Sequence, residues 1–151
     1  MQLQLYKHNN SYGVNGAVFN LYNSDENANQ LEKVNTVTTN SQDFVPETKE
    51  LIKKEELTIG TTCYYILEEQ SVPTNYIAVF EKALIKVELG TDKVVKYSIE
   101  KVYKDGSWYN YIESDKKVIT IDENGKISLE NAISYSFNLY KRIYNINKDI
   151  I

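Results

Sequence analysis

Histidine occurs once in this chain, as His8, and cysteine once, as Cys63. Those two counts remove most familiar active-site chemistry. A zinc centre needs several His, Cys or carboxylate ligands at close spacing, and a Ser-His-Asp relay needs its histidine set between a nucleophile and an acid. His8 has no such company and is expected to be a solvated loop residue. A lone cysteine cannot close an intramolecular disulfide, and Cys63, in a Tyr-rich alternating run, reads as a small buried residue. No glycine-rich phosphate loop occurs, and the acidic residues do not follow calcium-loop spacing. Neither a metal nor an organic cofactor is implied. One binding surface does suggest itself. Ser107-Trp108-Tyr109-Asn110-Tyr111 follows a turn signal and could present Trp108, Tyr109 and Tyr111 for stacking on a sugar or a host protein, although two of those rings are expected to face the core.

Composition narrows the partners. The formal net charge is −4 with charges of both signs interspersed, and no basic patch with interleaved aromatics appears, so nucleic acid is not an expected partner. No apolar run is long enough to span a bilayer, no signal peptide is present and no sortase-type tail follows. Met1 leads straight into strand-like Gln2-Leu3-Gln4-Leu5, which suggests an excised piece of a longer protein whose targeting segments lie elsewhere. With 42% hydrophobic residues in 151, the chain can bury one core. Thirteen tyrosines against four Phe and one Trp favour strands, because Tyr buries its ring and leaves its hydroxyl at a wet edge.

The elements that must position any site are strands. Period-two alternation puts Leu3, Leu5 and Lys7 on one face of a first strand. After a turn at Val14-Asn15-Gly16, it puts Ala17, Phe19 and Leu21 on one face of a second. Further strands are expected at Thr36–Thr39, Tyr64–Glu69, Ile77–Phe80, Leu84–Leu89, Val94–Tyr103, Val118–Ile121, Ile127–Leu129 and Tyr135–Tyr140. Val95, Tyr97 and Ile99 alternate with Lys96, Ser98 and Glu100, giving one buried and one wet face. Asp105-Gly106 and Asn124-Gly125 are hairpin turn signals. Pro46–Leu57 breaks the pattern; the spacing of Leu51 and Ile52 suggests a short surface helix, with a solvated loop as the alternative. Many short strands with turns every eight to twelve residues indicate a β-sandwich.

Three pieces carry a resemblance. They are Leu3-Gln4-Leu5-Tyr6-Lys7 with Gly16-Ala17-Val18-Phe19-Asn20-Leu21, then Leu57-Thr58-Ile59-Gly60-Thr61-Thr62-Cys63-Tyr64-Tyr65-Ile66-Leu67-Glu68-Glu69, then Gln70-Ser71-Val72-Pro73-Thr74-Asn75-Tyr76. Together they resemble the Cna protein B-type domain, the SpaA-like or prealbumin-like fold of Gram-positive pilins and adhesins. That family opens with an apolar-x-apolar-x-Lys strand and a GAxFxL strand, then carries L-x-x-G-T-x-Y-x-L-x-E-T-x-A-P-x-G-Y. Here Tyr65-x-Leu67-x-Glu69 supplies the E-box, and Pro73 and Tyr76 its tail. Asn75 stands where Gly is usual, a modest departure because Asn tolerates positive φ. The likeness covers residues 3–80 and fades beyond.

The resemblance implies an intramolecular isopeptide bond, made once and not turned over, between the first-strand Lys and an Asn or Asp of the last strand. By motif position Lys7 is the nucleophile and Glu69 the proton shuttle. Glu68 lies on the opposite face, and parity with Tyr65 and Leu67 selects Glu69. Such chemistry is physically reasonable: burial disfavours the charged amine and raises a carboxyl pKa, and a folded core supplies proximity. The acceptor stays open. Asn131 fits apolar-x-apolar-x-Asn through Ile127-x-Leu129-x-Asn131, but its distance from Glu69 requires an insertion around residues 90–117. Asn138 is the second choice, and Asn145 and Asn147, near the chain end, are candidates if residues 133–147 form the last strand. Phe137-Asn138-Leu139-Tyr140-Lys141 looks like Leu3–Lys7, as though another module began there. Asp122–Asn131 equally resembles the family's strand before its E-box, which would leave Lys141 where Glu belongs.

The expected fold is therefore all-β, an Ig-like or prealbumin-like sandwich of seven or more strands with a short helical insertion. Residues 1–131 would form the module, and 132–151 its last strand or the start of a following repeat. The expected role is a stalk or spacer of a Gram-positive pilus or adhesin, extracellular and cell-wall-anchored in the full-length protein, contacting neighbouring modules or pilus subunits. The alternative is a ligand-binding adhesin domain of the same fold that recognises host extracellular matrix or glycan. A hydrolase has no nucleophile–base pair to support it.

Overall fold

A computed structural model describes residues 1–9, 12–39, 47–73, 76–77, 81–130 and 132–133. Two sheets face one another across the core. The first strand, β1 (Leu3–Asn9), lies at the centre of the smaller one. On one side it pairs in parallel with β12 (Lys126–Glu130), which is joined by a hairpin to the edge strand β11 (Ile119–Ile121). On its other side it pairs antiparallel with β5 (Thr48–Ile52) and, at His8 and Asn9, with the short β2 (Tyr12–Gly13). The alternation read from the sequence is what buries: Leu3, Leu5 and Lys7 have at most 1% of their surface exposed.

The larger sheet is six-stranded. Its order runs β10 (Ser107–Asn110), β9 (Val95–Lys104), β8 (Lys82–Leu89), β6 (Thr62–Ser71), β3 (Val18–Ser24) and β4 (Gln30–Thr38). All its neighbours pair antiparallel. Phe19 and Leu21 of β3, Tyr65 and Leu67 of β6, Ile85 and Val87 of β8, and Ile99 and Val102 of β9 meet Leu3, Leu5, Ile127 and Leu129 in one apolar cluster. A third pairing joins β7 (Tyr76–Ile77) to β13 (Ala132–Ile133).

Two hairpins show why their residues are needed. At the β9–β10 turn both Asp105 (φ 52°) and Gly106 (φ 80°) take positive φ, as a two-residue turn matched to strand twist requires. At the β11–β12 turn Gly125 has φ 82°, and a Cβ there would sit 2.1 Å from the Gln2 carbonyl oxygen. Only glycine fits. The Gln4 amide donates to the Gly125 carbonyl at 2.9 Å, so this turn sets where β12 begins beside β1.

Three expectations need correction. Pro46–Leu57 carries no helix in its described part: Thr48–Ile52 is β5, with Leu51 only 2% exposed. Leu51 and Ile52 are adjacent and so fit either period; pairing with β1 decides the matter. Helical structure among the described residues is a 3-10 turn at Glu113–Lys117, inside the insertion expected around residues 90–117, which β9 and β10 otherwise occupy. His8 is a half-buried strand residue, not a loop residue, its ring 5.0 Å from that of Tyr6. Cys63 is partly buried in β6. Of the other expected strands, residues 78–80 and 135–140 lie outside the described residues.

Candidate functional site

The inward alternation of β1 ends on a cation. Leu3 and Leu5 are followed on the same face by Lys7, and opposite them the inward series of β6, Tyr65 and Leu67, is followed by Glu69. Because each charge continues an apolar stripe, folding the two sheets together carries both into the core. Lys7 Nζ lies 2.9 Å from Glu69 Oε2, and neither side chain has any exposed surface. The pair spans the sandwich, since β1 and β6 belong to different sheets. Glu69 is held at the strand end by its amide, which donates to the Glu81 carbonyl at 3.1 Å.

Taking two charges out of water costs several kcal/mol for each ion, and a close partner returns only part of that. Here desolvation prevails at the amine. Burial brings the Lys7 pKa down from 10.5 to about 8, although the neighbouring carboxylate and its hydrogen bond both act to raise it. An amine so placed gives up its proton far more readily than a solvated lysine. The Phe19 ring also faces it, its centroid 5.3 Å from Nζ, and Phe19 is the register partner of Glu69 across β3 and β6. Sequence reasoning placed Phe19 on the buried face but gave it no part in the site. Its shared parity with Ala17 and Leu21 was the available signal.

Glu68 points away. Its Oε1 accepts from Asn20 Nδ2 at 3.0 Å and from the Tyr22 hydroxyl at 3.3 Å, on the outer face of the larger sheet. Asn20 is buried to 4% exposure and also donates to Gln70 Oε1 at 2.8 Å, while its Oδ1 accepts from the Thr36 hydroxyl at 2.7 Å. That polar ladder was not foreseen, because outer-face burial leaves no mark in an alternation pattern.

Asn131, Asn138, Asn145 and Asn147 lie outside the described residues. The strand leading to Asn131 does not: β12 runs parallel to β1 with Leu129 opposite Lys7 and Ile127 opposite Leu5. The aromatic run is elsewhere. Trp108 meets Tyr103 edge-on at 5.2 Å between centroids, Tyr109 is 49% exposed, and the Tyr111 hydroxyl donates to the Ile119 carbonyl. None of the three joins Lys7 and Glu69.

A family model described as SpaA, prealbumin-like fold domain, matches residues 1–104. The chain belongs to that family. Among solved structures, this SpaA-type domain is similar to a C-terminal fragment of the pilus adhesin SpaC from Lactobacillus rhamnosus GG. The identity is 20% and the TM-score 0.50, over 88% of this chain and 45% of that one. SpaC of the same organism in an open conformation matches at 22% identity and a TM-score of 0.46, over 88% of this chain and 14% of that one. The domain thus spans less than half of either. At such identities the likeness concerns fold. Comparison with curated proteins finds no match. Among the described residues, no helix is long and apolar enough to cross a membrane.

Proposed function

We propose that this SpaA-type domain is a structural module of a Gram-positive surface pilus or adhesin, closed on itself by an amide between Lys7 and Asn131 with Glu69 as proton shuttle. One observation carries the reading: a lysine and a glutamate at 2.9 Å, both without exposed surface, beside a parallel pairing of the first strand with a late one. A structural ion pair gains little from such complete burial. A reaction between amine and carboxamide gains a neutral nucleophile, a water-free site and fixed reactants.

The step balances without a co-reactant. Glu69 takes a proton from the Lys7 ammonium, leaving a neutral amine and a protonated carboxyl. The amine nitrogen attacks the Asn131 Cγ while the carboxyl hydrogen-bonds the amide oxygen. The Cγ–Nδ2 bond breaks as the carboxyl proton passes to the departing nitrogen, Glu69 takes the second proton from the attacking nitrogen, and ammonia leaves. An amide now joins the two side chains. Asn131 is favoured because it continues the inward parity of Ile127 and Leu129, both fully buried, two residues beyond the partner of Lys7. Asn138 is the second choice.

Family membership and the use of this fold in a pilus adhesin of Lactobacillus rhamnosus support a role outside the cell, in a cell-wall-anchored protein whose other modules and pilus subunits are the partners. Residues 1–131 form the module, and 132–151 are its last strand or the start of a following repeat. The denatured Glu69→Ala chain is expected to show the full mass of its own sequence, without the one-ammonia deficit expected of the unaltered protein. A deficit that persists in Glu69→Ala would remove the shuttle. Fragmentation of the unaltered chain is expected to recover a peptide around Lys7 joined to one containing Asn131; a branch at Asn138 would move the acceptor.

A further inference from the structure

The outer face of the larger sheet, away from the buried pair, carries a second constellation. Register places its members on one side. Leu84 of β8 opposes Lys101 of β9, Lys82 opposes Tyr103, and Tyr103 and Lys101 oppose Trp108 and Asn110 of β10. Residues opposite one another in antiparallel strands share a face. Lys82, Lys101, Tyr103, Trp108 and Asn110 therefore stand together over Leu84, which is completely covered. Tyr109 belongs to the other face, being the partner of buried Val102.

Two features of this patch point to a ligand class. The first is charge. Among the described residues, Lys82 and Lys101 are in no ion pair, whereas Lys86 and Lys104, on the same two strands, each have a carboxylate within 4 Å. Glu68, across from Lys82 on β6, is turned to Asn20 and Tyr22 instead. The second is the rings. Tyr103 and Trp108 meet edge-on at 68°, and Lys82 Nζ lies 5.2 Å from the Tyr103 centroid. In an edge-on pair, one ring keeps both faces clear of the other.

We infer that this face binds an anionic glycan. A pyranose presents a flat face of C–H bonds whose slight positive charge suits the negative face of an aromatic ring. The two lysines supply cations for its carboxylate or sulfate groups, and the Asn110 amide can donate to or accept from hydroxyls. A flat sheet face with an aromatic pair favours a sugar over an extended peptide, which would be held at a strand edge or in a groove. The chain as a whole has a net charge of −4. Attraction of a polyanion must therefore come from this local patch and fall with salt.

The test measures retention of the 151-residue chain on immobilised hyaluronan (carboxylate groups) and heparin (sulfate groups), with neutral dextran and polyglutamate as controls. Binding to at least one acidic glycan is expected, weakened by salt, with none to dextran or polyglutamate. Trp108→Ala and the double variant Lys82→Glu/Lys101→Glu are each expected to weaken it roughly tenfold or more, with Tyr109→Ala unchanged. Circular dichroism establishes that each variant is folded. No retention of the unaltered chain on either glycan would overturn the inference. So would equal binding to polyglutamate, or binding that survives both variants. None of these outcomes touches the Lys7 linkage, which is read by mass.

Discussion

At the scale of single residues, the account rests on Lys7 and Glu69 acting as one titrating unit. The pair is competent while it holds one proton, because the amine must be neutral and the carboxyl must have a proton to pass on. The Lys7 pKa of about 8 marks the loss of that proton on the alkaline side. Refolding chain that has not yet reacted is therefore expected to form the bond more slowly above about pH 8. A solvated lysine would instead react faster with each step up to 10.5, its ordinary value. A stopped time course of mass loss across pH 6 to 10 distinguishes the two, and a rate still climbing above pH 9 would refute the single-proton pair. Phe19 adds a second reading on the same curve. Its ring favours the charged amine by about 1 kcal/mol, so Phe19→Leu should move the alkaline fall to lower pH. A purely packing role would leave the midpoint in place.

At the scale of elements, the site is a matter of register. Parity within β1 and β6 was legible from the sequence because Leu3, Leu5 and Lys7, and Tyr65, Leu67 and Glu69, alternate without interruption. That alone separated Glu69 from Glu68. The turns at Asp105-Gly106 and Asn124-Gly125 were legible because positive φ demands particular residues. Strand β5 was not, since adjacent Leu51 and Ile52 fit either period and only pairing with β1 settles it. The lysine-aromatic face was also hidden: Lys82, Tyr103 and Trp108 are brought together by three strands and not by spacing along one. The element most exposed to a single change is the β11–β12 turn. A Cβ on Gly125 would meet the Gln2 carbonyl and also approach the Tyr97 ring at 2.9 Å. Gly125→Ala is expected to destabilise the fold by about 2 kcal/mol or more and to slow bond formation by shifting β12 along β1. Urea unfolding together with the mass time course checks both effects. A stability within error of the parent would show that the turn has room to relax.

For the whole molecule, a link from Lys7 to Asn131 would close nearly the entire described chain into one loop. By analogy with a long-loop disulfide, restricting the unfolded chain in this way is worth about 5 kcal/mol, or a fall of roughly 10 °C or more in Tm when the link is lost. Asn131→Ala is the variant to measure, because it removes the acceptor without leaving Lys7 or Glu69 alone in the core. A melting temperature unchanged in Asn131→Ala would deny that residue a part in the linkage. Force applied at the two ends would pass through the link between β1 and the segment after β12, and the hydrogen-bonded sheets would be spared. The central claim is tested most directly by the intact mass of the unaltered chain, measured after full denaturation. The account predicts a mass lower than that of the sequence by one ammonia. A mass equal to that of the unmodified sequence would contradict it, leaving Lys7 and Glu69 as a buried ion pair and nothing more.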